Sequence, residues 1–589
     1  MAITKPKKLR NHKLRPQTMQ NLHPPTETRR AWWILAVLSL PVFIGALDLT
    51  IVSAILPEVM NQLNLPPDTR FDEASWVISA YLLAYTISMA FTGRLSDLLG
   101  RKWVYILCLL IFMFGSWFIT IADQWPADTY LEVYRWIYPN PDTHIPPSPE
   151  MRQLYMIILG RVIQALGAGA MVPVTMALVG DLFPKTGRAR PLGAVGAIDT
   201  AGWVLGHLYG GAMVNFFGNH GDSIVDTFAS VGLKIGHPDW HTLFLLNIPL
   251  GLIALVGAWL ALRGPQFSQR IEGRFDFVGT GLITAALIGL SIGLGGASPE
   301  SAASAESFDE IATESTDMTI PMLLMAGVAF AAFLFWEFRT KTPLIDLRLF
   351  RKANFSVAAF TNFCVGFALA IGLVSVPLLV NIRLDSTSES AFHDAALVAG
   401  LVLSGLTVPM AIAAFPGGWL SDRYGYRRTT VIGMALSIIG FLLCSFTWTG
   451  DISFWIMSAE IALVGIGLGL TISPVATALM NDAPDDDRGV SAALVLVLRL
   501  VGMTLAISGL TTFALYRVDA RVADMPGLER QDAYFNATVD QINEMFLIGA
   551  AISLVALLFA LRLHGGKVEP TPSTMPAKAT IRRVPEIGG

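Results

Sequence analysis

The chain has 589 residues, of which 53% are hydrophobic and only 15% charged, with a formal net charge of −4. A composition this apolar excludes a soluble enzyme of ordinary surface area, so most side chains must face lipid or one another.

The first 31 residues form a tail carrying Lys5, Lys7, Lys8, Arg10, Lys13 and Arg15. It is too long and too Pro-rich for a cleaved signal, and the apolar stretch after it has span length, so the first span is expected to be retained. Windows of about 20 residues, the length that crosses a bilayer core, predict fourteen spans. Seven lie near Trp32 to Leu56, Ala74 to Leu95, Trp103 to Ala122, Leu154 to Val179, Pro191 to Phe217, Thr242 to Leu262 and Phe277 to Leu294. The other seven lie near Ile320 to Trp336, Phe355 to Leu379, Ala395 to Leu420, Thr430 to Thr447, Phe454 to Met480, Val490 to Leu515 and Met545 to Leu563. The expected fold is an all-α polytopic membrane protein: six spans in 32–263, a two-helix linker in 264–340 and six spans in 341–563. An outside loop insertion is expected at 123–153 and an acidic outside loop, disordered by composition, at 298–317; the tail 564–589 reads the same way.

With both termini inside, and residues at span ends assigned to the adjoining loop, inside loops hold 31 of the 41 Lys and Arg, outside loops 8 and spans 2. That bias places both termini in the cytoplasm. The basic tail and the cluster Arg339, Lys341, Arg348, Arg351 and Lys352 are read as topology signals and not as nucleic-acid sites. Cys108, Cys364 and Cys444 all fall within spans, with no spacing for a disulfide or a metal cluster.

The halves repeat. Gly93, Asp97 and Gly100 recur as Gly418, Asp422 and Gly425, displaced by 325, while Arg188 and Gly202 recur as Arg488 and Gly502, displaced by 300. Paired halves with a substrate site at their interface are the plan of alternating-access transporters.

The loop from Gly93 through Asp97 and Gly100 to Arg101 and Lys102 resembles the signature of the major facilitator superfamily, and the copy at Gly418, Asp422 and Gly425 is a weaker version in which Tyr426 replaces the first basic residue. Here Gly93 permits close helix packing, and Asp97 with Arg101 and Lys102 can form a charge latch. Span four carries Arg161, Gln164, Gly167 and Gly169, similar to a superfamily pattern in which a buried Arg serves proton transfer or braces the cavity. About eight residues from the expected outer end, Arg161 can also snorkel. In span five Gly193, Gly196, Gly202, Gly206, Gly210 and Gly211 resemble the antiporter glycine motif, whose close helix approach suits a sliding interface. His207 replaces the proline of that motif and is either a further protonation site or a hydrogen-bonding neighbour. The stretches Leu47 to Pro57, Trp76 to Ala84 and Phe244 to Gly251 resemble the fourteen-span drug:proton antiporter subfamily.

A carboxylate within a span is expected to exchange protons. Asp48 and Asp199 are the deep ones and Glu460 lies nearer an outer end; displacing Asp199 by 300 lands on Arg499. Either acid can serve as the counter-ion of Arg499, and protonation would break the pair and bias the rocking equilibrium.

The expected function is proton-coupled export of hydrophobic or amphipathic molecules, a multidrug efflux antiporter of the bacterial inner membrane. It would need no cofactor beyond the proton gradient and would use a cavity between spans one, four, nine and twelve. The alternative is export of lipid or glycolipid, with Leu205 to Gly210 resembling an actinobacterial lipid-exporting branch and the long outside segments suiting either an external lipid-accepting partner or decoration. A membrane enzyme is the remote alternative; His237, Asp239 and His241 come nearest to a metal-ligand set.

Overall fold

The computed structural model describes residues 25–139, 144–230, 236–268, 270, 273–294, 319–384, 389–525 and 529–567. The expected acidic loop 298–317 and most of both tails lie outside them. Among the described residues there is no strand. Lacking water to pair with, backbone groups in a bilayer core must bond within their own segment, and a continuous helix does this.

The first bundle comprises α1 (Pro25–Gln62), α2 (Pro67–Leu99), α3 (Arg101–Thr120), a short α4 (Trp125–Ile137), α5 (Pro149–Leu182), α6 (Ala189–Ser230) and α7 (Trp240–Ala261). A hairpin of α8 (Phe277–Gly293) and α9 (Thr319–Arg339) follows. The second bundle comprises α10 (Ala353–Arg383), α11 (Glu389–Tyr424), α12 (Tyr426–Thr447), α13 (Phe454–Asp482), α14 (Arg488–Ala523) and α15 (Arg530–Ala560). Fourteen of these helices overlap the fourteen expected spans. Twelve are long and apolar enough to cross a membrane; α8 is a shorter apolar helix, and α6 is not among the twelve.

Two features depart from the sequence expectation. The insertion at 123–153 contains α4, whose Pro126 starts a helix at a position needing no backbone donor. The helices also outrun the hydrocarbon: α6 has 42 residues, about 63 Å at about 1.5 Å per residue, against a core about 30 Å thick. Its continuation from Gly218 to Ser230 mixes Asn219, His220, Asp222 and Asp226 with scattered apolar residues, so a hydropathy window ends too soon.

Within the first bundle α1 packs on α6, α2 on α5, and α3 on α5 and α7; in the second, α11 and α12 pack on α13, and α14 and α15 on α10. The halves meet through α6 against α11 and α2 against α14. By the internal repeat α2 corresponds to α11 and α6 to α14, so the two seams are symmetry mates. The most enclosed helices are α10, α5 and α13, with 89, 83 and 83% of their most apolar windows buried, against 17% in α9. The linker hairpin therefore flanks the bundles, closing on itself through Gly289 and Gly293, which lie against Met322 and Leu323 of α9.

Gly100 and Gly425 sit at equivalent junctions, α2 to α3 and α11 to α12, with φ of 90° and 89°. A side chain there forces a backbone conformation that costs about 1–3 kcal/mol. Gly100→Ala and Gly425→Ala are therefore expected to lower the melting temperature of the purified chain, whereas Gly211→Ala, with no atom within 4 Å of its added carbon, should leave it near wild type; equal melting of all three would remove the strain argument.

Candidate functional site

Asp48 on α1 lies in the interior of the first bundle with only 1% of its surface exposed. Its Oδ2 accepts a hydrogen bond from Arg161 of α5 at 2.6 Å, and its Oδ1 accepts from Gln164 of α5 at 2.9 Å and from Asn247 of α7 at 2.7 Å. Gln164 also donates to Ser116 of α3 at 2.7 Å, and the Arg161 guanidinium stacks 3.8 Å from the Tyr81 ring of α2. Five helices thus converge on one ion pair. The burial that would otherwise make each charge costly is offset by a short charge-assisted bond and by donors that fill both carboxylate oxygens. Arg161 is fully buried and begins its helix turn well inside α5, so the snorkelling alternative is corrected.

Asp48 is therefore not the partner of Arg499. That role falls to Asp199 of α6, whose Oδ2 is 3.5 Å from the Arg499 guanidinium of α14. This pair crosses between the halves, and it is incompletely made: Asp199 Oδ1 is buried with no hydrogen-bond partner among the described residues. Glu460 stands apart, accepting from Thr447 at 2.6 Å and from Trp448 at 3.1 Å.

At one end of the molecule the halves are fastened together. Asp97 pairs with Arg101 at 2.9 Å and accepts from the Gly489 backbone across the seam at 3.2 Å. Arg101 reaches on to Asp181 of α5, which also takes Arg488 of α14 at 2.8 Å, and Arg94 meets Asp487 at 3.1 Å. Gly93 touches the Gly489 backbone, which no larger residue would allow. Lys102 takes no part: its ammonium sits 4.1 Å above the Trp259 ring. It follows the arginine on a helix and so projects about 100° away from it, toward α7.

The second seam repeats the plan in other chemistry. Gly418 touches the backbone of Ala189 and Arg190, and Asp422 pairs with Arg190 at 3.4 Å. Where the first seam has Arg101 and Asp181, the second has Tyr426 and Asn481, joined at 2.7 Å, and Asn481 accepts from Arg188 at 3.0 Å. Tyr426 and Asn481 are the displaced equivalents of Arg101 and Asp181. Arg188 thus stands without a direct carboxylate, and burial together with the nearby Arg488 charge brings its pKa down to about 10.

The glycines of α6 pack against two different neighbours. Gly202, Gly206 and Gly210 line the face of α6 against α1 of its own half, with Ala46, Leu47 and Ile51 in contact, and Gly211 meets nothing. Only Gly193 and Gly196 face the other half, at Ala414 and Ile472. His207 lies on α6 beside this row, and its side chain is outside the described residues. His237 and His241 do not converge: His241 bonds Asp239 at 2.9 Å, while His237 turns to Asp222 at 3.7 Å. Burial works against the Asp239 charge, but its bonds to the His241 ring and to backbone N–H groups prevail and hold it below the usual carboxylate range.

Ser116, Asn247 and Tyr81 are members of the Asp48 site that no sequence pattern singles out by role, although Asn247 and Tyr81 fall in stretches that resemble the antiporter subfamily. Asp48→Asn leaves Arg161 as an uncompensated buried charge, a loss of about 3–5 kcal/mol, whereas Asp199→Asn breaks only a long contact. The first variant is expected to melt well below the second; a thermal-stability assay that ranks them the other way overturns this division.

The profile described as Major Facilitator Superfamily matches residues 38–507 and 358–585. A triacylglyceride transporter of Mycolicibacterium smegmatis is 29% identical over 578 residues, covering 94% of this chain and 90% of that one, and one of Mycobacteroides abscessus is 29% identical over 528 residues, covering 86% and 89%. Among solved structures, the proton:xylose symporter XylE superposes with a TM-score of 0.53 at 13% identity over 92% of this chain and 98% of that one. The human organic anion transporter MFSD10 gives 0.51 at 12% identity over 90% and 100%. The chain is a multi-pass membrane transporter, not an enzyme, and it belongs to the Major Facilitator Superfamily.

Proposed function

We propose that this transporter exports a neutral, triacylglyceride-like lipid across a bacterial inner membrane, with both termini in the cytoplasm and proton entry as the driving force. The substrate class rests on one observation: the similarity to triacylglyceride transporters runs the length of both chains. The drug-efflux reading keeps only the motif resemblance in its favour and takes second place.

The coupling element in this reading is the Asp199 and Arg499 pair, because it joins the halves and is only partly satisfied. Proton binding to Asp199 removes its charge and releases Arg499, lowering the cost of separating α6 from α14. The Asp48 and Arg161 pair stays within one bundle and keeps that bundle rigid through the cycle. Opposing ends are then exposed in turn, with the fastened seams closing one of them.

The test is transport in proteoliposomes under an imposed pH gradient, comparing a fluorescent triacylglyceride with a cationic dye. The lipid is expected to move and the dye not to. Asp199→Asn should abolish gradient-driven movement while the protein still folds. Dye movement alone returns the drug-efflux reading, and full driven transport by Asp199→Asn discards the coupling assignment.

A further inference from the structure

Most residues of helix α4 fall on three faces, with Leu131 between two of them. At about 100° per residue, Ala127, Tyr130 and Tyr134 fall on the side toward α5, where the Tyr130 ring lies 5.9 Å from that of Tyr155, tilted by 49°. Asp128, Glu132 and Arg135 share a second side. The third, an arc of about 120°, holds Trp125, Thr129, Val133, Trp136 and Ile137. Apart from Pro126, buried at the helix start, that arc is open: Trp136 is 83% exposed, Trp125 54%, Ile137 53% and Val133 49%.

The helix has 13 residues, too few to cross a bilayer core, and starts a short turn after the end of the α3 span. The apolar arc continues a surface that must already face lipid. Phe114 and Trp117 on α3 are exposed, Phe114 lies 6.3 Å from Phe118, and the Phe118 ring meets Trp125 edge-on at 6.4 Å. Tryptophan and tyrosine concentrate at headgroup depth, where an apolar ring and a polar edge are both satisfied. A short helix with separate apolar and charged faces lies along that boundary.

We propose that α4 is an interfacial helix, seated on the phospholipid headgroups of the leaflet opposite the fastened seams. Trp125, Val133, Trp136 and Ile137 enter the lipid while Asp128, Glu132 and Arg135 face water. It anchors the outer end of α5, the helix that carries Arg161 and Gln164, to the membrane surface. The occupant of the apolar arc is lipid and not a second copy of the chain or another protein.

The experiment is site-directed nitroxide labelling of the full chain in nanodiscs of phosphatidylglycerol and phosphatidylethanolamine. The three native cysteines are buried, so single cysteines placed at Val133, Trp136, Ile137, Asp128 and Arg135 take the label. Labels at Val133, Trp136 and Ile137 are expected to collide with oxygen in preference to a water-soluble nickel chelate, and those at Asp128 and Arg135 the reverse. Equal access of the chelate to both sets would place the helix in water and overturn the proposal. So would shielding of the apolar set from both reagents, which marks a protein neighbour. Should Trp136→Cys fail to fold, Val133→Cys and Ile137→Cys carry the same comparison.

Discussion

An arginine with no access to water has to be neutralised where it stands, and the first bundle is arranged around that need. Arg161 is fully buried, and an unpaired charge at such a place costs several kcal/mol. Asp48 supplies the opposite charge, Gln164 and Asn247 occupy the remaining acceptor positions, and the Tyr81 ring covers the guanidinium face. Because these groups come from α1, α2, α5 and α7, no one of these helices can move alone without exposing a charge. The pair therefore makes the bundle a single body, and rigid bodies are what a rocking mechanism requires.

The contacts between bundles are drawn with less completeness. The Asp199 carboxylate has one oxygen at 3.5 Å from Arg499 and the other without a partner among the described residues. The two seams share a geometry and differ in charge. Asp181 joins Arg101 and Arg488 on one side, while Asn481 joins Tyr426 and Arg188 on the other. The second seam keeps the Asp422 and Arg190 pair, but with fewer ion pairs it loses less to added salt than the seam built on Asp181. The pseudo-twofold plan thus carries two fastenings of unequal character.

Much of this was legible in the sequence, for reasons that are specific. Span-length apolar windows located fourteen helices because the bilayer imposes a length. The displacement of 300 residues linked Asp199 to Arg499 because the halves are repeats that meet at their interface. The repeat paired Gly100 with Gly425, and both stand at junctions with positive φ. What escaped was set by direction and not by pattern. Nothing in the order of residues says that Asp48 turns toward Arg161, that Lys102 turns toward Trp259, or that Gly202, Gly206 and Gly210 face α1 of the same half. The polar extension of α6 and the helix within 123–153 were hidden because hydropathy is silent once a helix leaves hydrocarbon.

The contact of Gly93 with Gly489 bears on how the molecule opens. Two backbones meet there with no side chain from either residue, so at that point neither surface has a knob seated in the other. Parting them withdraws nothing from a socket and asks for no change of rotamer. The seam behaves as a smooth bearing, and resistance to opening at that point comes from the charges around it, which a solute can screen or a proton can cancel, and not from interlocked packing, which neither can touch.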